Sequence, residues 1–160
     1  MASFIKTTCL RYFAKHWGRM FLCFSVLMFL FSGCAQNKGV SVVKINDQIF
    51  QVEIAKTQRE HSQGLSDRPG LAEDKGMLFV FDDYRIRFFW MKGMRFPLDI
   101  IWIKDDQVIG CEEDVPIFQN NGNVSQVKSP QPINYVLEVK AGMCKKYKIK
   151  KGDKVDIKIR

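Results

Sequence analysis

The residue types best suited to hold a small molecule cluster in the middle of the chain. Trp90, Met91 and Lys92 are consecutive, and Asp99 follows a few residues later. Gly93 allows the chain to bend there, so Lys92 and Asp99 are expected to approach each other across a loop. An aromatic side chain, a cation, a carboxylate and flexible methionines together favour a small-ligand pocket. The candidate ligand-binding residues are Trp90, Met91, Lys92, Asp99 and Met77.

The same residues also have a purely structural interpretation. Trp90 and the methionines would then fill the core, while Lys92 and Asp99 would form an ion pair. A third reading uses Asp99 or Lys92 as a general acid or base in a small enzyme, which would require a strongly perturbed pKa at one of them. The chain contains no Gly-x-Ser-x-Gly, His-Glu-x-x-His, Cys-x-x-Cys, Walker or dinucleotide-binding motif. We therefore assign no catalytic residue and favour binding over catalysis.

Other reactive side chains are few beyond the N-terminal segment. His61 is the only histidine there, and its helical context favours a surface residue. Cys111 and Cys144 are the only cysteines left if Cys34 is modified. An exported compartment permits a disulfide between them, but a strand end and an apolar helical segment favour two buried thiols. We expect no metal and no cofactor.

Length and charge limit the class of protein. The 160 residues suffice for one domain, and 46% hydrophobic and 26% charged residues are typical of a globular fold. The net charge is +8, but four of the 25 basic residues lie in the first 33 positions, where there are no acids. The remaining 21 basic and 17 acidic residues give a net charge of about +4 for the rest of the chain. A mildly basic domain does not indicate a nucleic-acid partner.

The N-terminus has the pattern of an export signal. Basic residues precede an apolar run over residues 20–31, which is short for a membrane-spanning helix. Ser32, Gly33 and Cys34 then resemble a bacterial lipobox, although Phe31 stands where that pattern prefers leucine. We expect residues 1–33 to be a signal peptide, 34–40 a lipidated tether and 41–160 the folded domain. The domain would be anchored by Cys34 and face the periplasm or the cell exterior. An uncleaved anchor and an ordinary signal peptide remain open.

Turn and strand patterns predict the scaffold. Asn46-Asp47 and Asp105-Asp106 each separate two β-branched runs, as in hairpins. The segment 112–129 resembles a loop that could form a lip over a site. Seven or eight short strands and two short helices predict a mainly β fold, a compact single-domain antiparallel β-sandwich or barrel.

The first helix carries its own start and stop signals. Thr57 followed by Glu60 matches a capping box, and Gly64 is suited to end the helix. So short a helix is unstable alone and must pack against the sheet, with Leu65 as the expected contact. A second short helix is predicted over residues 141–147.

Several ordered sequence blocks closely resemble the DUF192 (UPF0127, COG1430) family over roughly residues 42–159. The blocks are Arg59 and residues 64–68, 76–81, 89–92, 97–100, 135–139, 141–142 and 152–155. Many members continue Trp-Met-Lys with Asn-Thr, where this chain has Gly93-Met94. The resemblance implies a compact, mainly β domain, often behind a signal peptide or lipobox. It implies no reaction, because the family has no established one.

Three functional hypotheses follow from the sequence. The favoured one is a membrane-tethered binding module of the cell envelope whose partner is a small ligand or an envelope protein. The second is a small envelope enzyme that uses Asp99 or Lys92. The third is a structural envelope protein with only protein partners, which predicts an exposed apolar patch and no enclosed pocket.

Overall fold

The structure of the protein, a computed structural model, describes residues 39–160. The predicted signal peptide, Cys34 and most of the predicted tether lie outside the described residues. In chain order the elements are β1 (Ser41–Ile45), β2 (Gln48–Ala55), α1 (Gln58–Gln63), β3 (Lys75–Arg85), β4 (Phe88–Trp90), β5 (Leu98–Lys104), β6 (Gln107–Val115), β7 (Gln126–Lys128), β8 (Ile133–Lys140), α2 (Met143–Tyr147) and β9 (Val155–Lys158). None of the helices in this part of the chain has the length and apolar character needed to cross a bilayer.

Seven strands form one curled sheet in the order β6-β5-β8-β3-β2-β1-β9, and β4 pairs with β7 in a separate small sheet. Only β2 and β3 are parallel; the other paired strands are antiparallel. The two edge strands of the large sheet meet at one end, where Gln107 bridges Lys154. The domain is therefore a mainly β half-barrel with two short helices, and the predicted fold class is confirmed.

The two faces of the curled sheet bury different clusters. The concave face holds aliphatic side chains such as Val43, Leu78 and Leu137 together with α2. The convex face holds Phe79, Trp102 and neighbouring apolar residues, onto which Leu65 and Met91 also pack. Because side chains alternate along a strand, five strands of the large sheet contribute to both clusters, namely β2, β3, β5, β6 and β8. Strands β1 and β9 contribute only to the concave-face cluster. The loop after α1 and the small sheet cover the convex face, and the candidate site lies there.

The local signals in the sequence produce the predicted local structures. Asn46 and Asp105 have φ of 54° and 55° in the two hairpin turns, a conformation that asparagine and aspartate tolerate. Thr57 Oγ1 accepts a hydrogen bond from the Glu60 amide at 3.3 Å, and Glu60 Oε2 accepts one from the Thr57 amide at 2.8 Å. The capping box is therefore confirmed, and Leu65 is 1% exposed, as expected for a helix that depends on packing.

The segment 112–129, predicted to be a loop, contains strand residues at both ends. Strand β6 continues to Val115, which pairs with Leu98. Strand β7 lies within the same segment and pairs with β4, with Val127 opposite Phe89. Sequence alone missed β7 because three residues have no readable alternation, and the partner strand supplies the hydrogen bonds.

Cys111 and Cys144 form a disulfide, with a Cα–Cα distance of 6.9 Å. The preference for two buried thiols is therefore wrong. The pairing of Ile101 with Cys111 fixes the strand cysteine on the concave face, where α2 brings Cys144 against it. A bridge across a sequence separation of 33 residues stabilises by roughly 4 kcal/mol in the chain-entropy model.

Candidate ligand-binding site

Asp99 lies apart from the other predicted site residues. Its neighbours Leu98 and Ile100 belong to the convex-face cluster, whereas Ile101 belongs to the concave-face cluster. Alternation along β5 therefore places the Asp99 side chain on the concave face, opposite to Met91. Asp99 is 0% exposed.

The Asp99 carboxylate accepts hydrogen bonds from the backbone amides of three residues. Its Oδ1 accepts hydrogen bonds from the amides of Asp114 at 2.8 Å and Gly142 at 3.1 Å, and its Oδ2 accepts one from the Cys144 amide at 2.6 Å. Gly142 and Cys144 lie at the start of α2, whose free amides require acceptors. Asp99 thus fixes α2 against the sheet beside the disulfide.

A potential ligand set of Asp99, Cys111 and Cys144 lies close together, with donor atoms within 4.8 Å of one another. Both sulfur atoms are engaged in the disulfide. Metal ions are bound by thiolates, and a disulfide offers none. This cluster is therefore a structural unit in the folded domain.

The remaining predicted residues lie on or under the convex side. Trp90 is 55% exposed, whereas Met91 and Met77 are 1% and 6% exposed. Lys92 is exposed, and its carbonyl oxygen accepts a hydrogen bond from Ser66 Oγ at 2.9 Å. The expected approach of Lys92 and Asp99 does not occur, because Asp99 is enclosed by backbone amides on the other face of the sheet.

A cavity of about 480 Å³ lies on the convex side, between strand β4 and residues 58–66, which we call the α1 region. Its apolar lining includes Phe79, Phe81, Phe89 and Trp90. Of the five predicted ligand-binding residues, only Trp90 lines it. A volume in this range and an aromatic lining suit a small organic ligand.

Glu138 is the acidic residue of the cavity lining. It pairs in register with Met77 on one side and Ile100 on the other, so its side chain points to the convex face. Glu138 is 6% exposed, and its Oε2 has no hydrogen-bond partner among the described residues. A β-carbon added at Gly64 would lie 3.8 Å from this oxygen, so the carboxyl lies directly beneath the end of α1.

Burial raises the pKa of Glu138 to about 8, and the charge of nearby Arg68 only partly opposes this rise. Arg68 is engaged elsewhere, because its guanidinium forms a two-point ion pair with Glu53 in which Nη2 donates to Oε2 at 2.8 Å. Near neutral pH the Glu138 carboxyl is therefore mainly protonated. It can donate a hydrogen bond, or lose its proton to meet a cation.

His61 and Arg87 are among the other polar residues that line the cavity. His61 is half-buried; its Nε2 lies 3.1 Å from the Ala55 carbonyl oxygen and its ring centroid 4.6 Å from that of Phe81. The Arg87 guanidinium lies 3.8 Å from the Phe81 ring centroid and pairs with Asp83. The His61 imidazole therefore forms part of the cavity wall and is less exposed than the sequence suggested.

Sequence reasoning missed Glu138. The available signal was a glutamate between Leu137 and Val139 in an otherwise apolar strand. In a strand with one buried face, every second side chain points to solvent, and a glutamate is usually one of these. Its burial follows only from the tertiary structure. The register of β8 with β3 turns the side chain to the convex face, and the α1 region covers it there.

Fold and site together define a class of small β domains, in which a curled half-barrel sheet carries an aromatic cavity with a buried carboxyl on its convex face. The family model DUF192, described as "Uncharacterized ACR, COG1430", matches residues 41–157. The chain belongs to the DUF192 family, which confirms that part of the resemblance.

Two solved structures are similar to this chain. One is a putative transcription regulator from Sinorhizobium meliloti 1021, with 30% identity and a TM-score of 0.66, covering 74% of this chain and 94% of that one. The other is a protein of unknown function from Novosphingobium aromaticivorans DSM 12444, with 30% identity and a TM-score of 0.64, covering 73% of this chain and 83% of that one. Among curated proteins, none matches the chain. The matched region makes up almost the whole of the first of these solved chains.

Proposed function

We propose that the protein is an exported, membrane-tethered binding module that holds a small ligand in the Glu138 cavity. The observation that carries the proposal is a buried carboxyl with an unpartnered oxygen in the lining of an aromatic cavity. A buried polar group without a partner is costly. A ligand that supplies a partner therefore gains binding energy from the relief of that cost.

The cavity lining indicates two chemical parts in the ligand. An apolar or aromatic part would contact Phe79, Phe81 and Phe89, and a polar part would reach Glu138. Trp90 stands at the rim with half of its surface exposed, where it would cover a bound ligand. Whether Glu138 is ionised or protonated then determines whether this polar part is a cation or a hydrogen-bond acceptor.

A ligand cation and a ligand acceptor are distinguished by pH. A cation pairs with the ionised carboxylate, so its affinity should rise towards about pH 8. A neutral acceptor such as a carbonyl or hydroxyl oxygen takes the proton of the neutral carboxyl, so its affinity should fall above about pH 8. The pH profile of a ligand that binds would thus identify its polar group.

The test is a thermal-shift screen of residues 39–160 with sugars, peptidoglycan fragments, amino acids, amines, anions and metal ions. At 100 times its dissociation constant, a ligand stabilises by about 2.7 kcal/mol and should raise Tm by at least about 5 °C. Trp90→Ala should abolish the shift without unfolding the domain, because the indole is largely exposed.

Ile49→Ala is the matched control, because Ile49 is 50% exposed on β2 and does not line the cavity. A ligand whose shift is equally reduced by Ile49→Ala and Trp90→Ala does not occupy the cavity. If no member of the panel shifts Tm while both variants remain folded, small-ligand binding is not supported. A protein of the envelope would then be the expected partner.

The envelope location rests on the N-terminal sequence. The basic segment, the apolar run and Cys34 support export and lipid attachment. The Cys111–Cys144 disulfide is consistent with an oxidising compartment.

Cys34→Ser should move the full chain from the membrane fraction to the soluble exported fraction and should abolish incorporation of labelled fatty acid. The thiol is the acylation site in this proposal, and serine cannot replace it. Cys23→Ser is the matched control, because Cys23 lies within the apolar run. Unchanged fatty-acid labelling after Cys34→Ser would exclude lipid attachment at this residue.

The alternative functions receive less support. General acid-base catalysis at Asp99 would require a free carboxylate, but both Asp99 oxygens accept backbone hydrogen bonds. The name of the Sinorhizobium meliloti relative suggests gene regulation. The longer helix of the described domain has six residues, fewer than two turns, so it gives no support for a recognition helix of the kind that enters the major groove of DNA.

A further inference from the structure

Exposed apolar side chains concentrate on the small sheet and on the segments next to it. Nine large hydrophobic residues of the described part are exposed, and six of them lie in residues 84–90 and 118–124. These six are Tyr84, Ile86, Phe88, Trp90, Phe118 and Val124. Such clustering marks an interaction surface, whereas isolated exposed hydrophobic residues do not.

Strand register places the central members of this group on one face. Phe88 pairs with Lys128 and Trp90 pairs with Gln126, so these side chains point to the same side. Phe118 and Val124 form an isolated bridge just before the start of β7, which extends the face. Phe89, between Phe88 and Trp90, turns the other way and packs against Phe79 with a centroid distance of 4.9 Å. We call the surface formed by Phe88, Trp90, Phe118, Val124 and Lys128 the β4–β7 face.

The two chain segments that form this face carry basic side chains and no acidic ones. Residues 84–98 and 116–137 contain no acidic residue and five basic ones, which are Arg85, Arg87, Lys92, Arg95 and Lys128. Asp83, at the end of β3, pairs with both Arg85 and Arg87. Lys92, Arg95 and Lys128 form no salt bridge with any other described residue. The apolar face therefore has a positively charged border.

We propose that the β4–β7 face docks on the surface of an anionic phospholipid bilayer. Tryptophan and phenylalanine suit the headgroup region, where an apolar ring meets a polar boundary. Uncompensated lysine and arginine residues at the border attract anionic lipids. Aliphatic Val124 contributes apolar contacts with acyl chains, which a nucleic acid would not use. This docking is independent of lipid attachment at Cys34 and of any ligand in the cavity.

The cavity would then open at the membrane surface. Phe88 and Trp90 belong both to the β4–β7 face and to the cavity lining. Docking would bring the cavity entrance to the level of the lipid headgroups. A ligand of this site would reach it from the membrane surface.

The test is cosedimentation of residues 39–160, which carry no acylation site, with vesicles. Equimolar phosphatidylcholine and phosphatidylglycerol vesicles should bind the domain, and pure phosphatidylcholine vesicles should bind it far more weakly. Lys128→Gln should lower the partition coefficient about fivefold, the effect of about 1 kcal/mol per basic residue near an anionic surface. Phe118→Ser should lower it strongly and leave ligand binding intact, because Phe118 does not line the cavity.

Two control variants locate the contact. Ile49→Ser removes another hydrophobic side chain that is about half exposed, on β2 of the large sheet rather than on this face, and should have no effect. Lys150→Gln with Lys151→Gln tests the lysine-rich C-terminal segment and should also have little effect. Both variants should keep the circular dichroism spectrum of the parent domain.

Four results would overturn the proposal. The first is a domain that remains in the supernatant with both kinds of vesicle, and the second is sedimentation that depends on the C-terminal lysines rather than on Phe118. The third is a concentration-dependent dimer lost in Phe118→Ser, which would assign the face to a second copy of the chain. The fourth is a single-stranded oligonucleotide that competes with the vesicles and binds through Phe118, which would assign the face to nucleic acid.

Discussion

Glu138→Gln is expected to remove a large loss of stability that the parent domain undergoes between about pH 5 and pH 8. The folded-state pKa of Glu138 is raised by burial to about 8, against a reference value of 4.5. Between these values the folded protein retains a proton that the unfolded chain has released, so the free energy of unfolding falls as pH rises. A shift of this size corresponds to at most about 5 kcal/mol, reached above about pH 8.

Urea unfolding at pH 5, 7 and 9 measures this effect. Glutamine does not titrate, so the stability of Glu138→Gln relative to the parent should increase with pH. Glu113→Gln is the matched control, because it makes the same change at an exposed position of β6. If the stability profiles of Glu138→Gln and Glu113→Gln run parallel over this pH range, Glu138 does not titrate in a buried state.

Asp99→Ala is expected to destabilise the domain by about 3–5 kcal/mol at pH 7. The substitution removes the acceptor for the buried amide of Cys144 and for the part-buried amides of Asp114 and Gly142, and it leaves these donors without partners. Exposure of Cys144 to reductant should also increase, because α2 loses its attachment to the sheet. Urea unfolding at pH 7 and the rate of disulfide reduction by dithiothreitol are the measurements.

Asp156→Ala is the control for this substitution. Asp156 is exposed on β9 and pairs with Lys158 at the surface, a contact worth little. Should Asp99→Ala fail to fold, Asp99→Asn retains one acceptor oxygen and allows the loss to be measured. A change below about 1 kcal/mol in Asp99→Ala would contradict a structural role and restore Asp99 as a candidate for catalysis.

The scaffold was largely predictable because its signals are local. Asn46 and Asp105 favour the left-handed turn conformation by their own chemistry. Thr57 and Glu60 satisfy each other within one turn of helix. None of these features needs a distant partner. The short strand β7 was missed because its hydrogen bonds come entirely from β4.

The candidate site was less predictable because the face of a strand depends on register. Lys92 and Asp99 are close in sequence, but alternation within β5 sends Asp99 to the concave face. Trp90 does line the cavity, but the acidic residue that lines it as well is Glu138, from a strand much later in the chain. Sequence spacing could not indicate that both residues line one cavity, since β3 and β5 align with β8 only in the folded sheet.

By itself, the sequence determined the family, the mainly β class, the hairpin turns and the capped helix, because family signatures and turn and capping chemistry act over a few residues. The tertiary structure decided which carboxylate is buried without a partner, which one caps a helix, and whether the two cysteines meet. Burial and pairing depend on which residues the curled sheet brings together. That arrangement is a property of the whole fold, because each strand takes its partners and its covered face from distant parts of the chain.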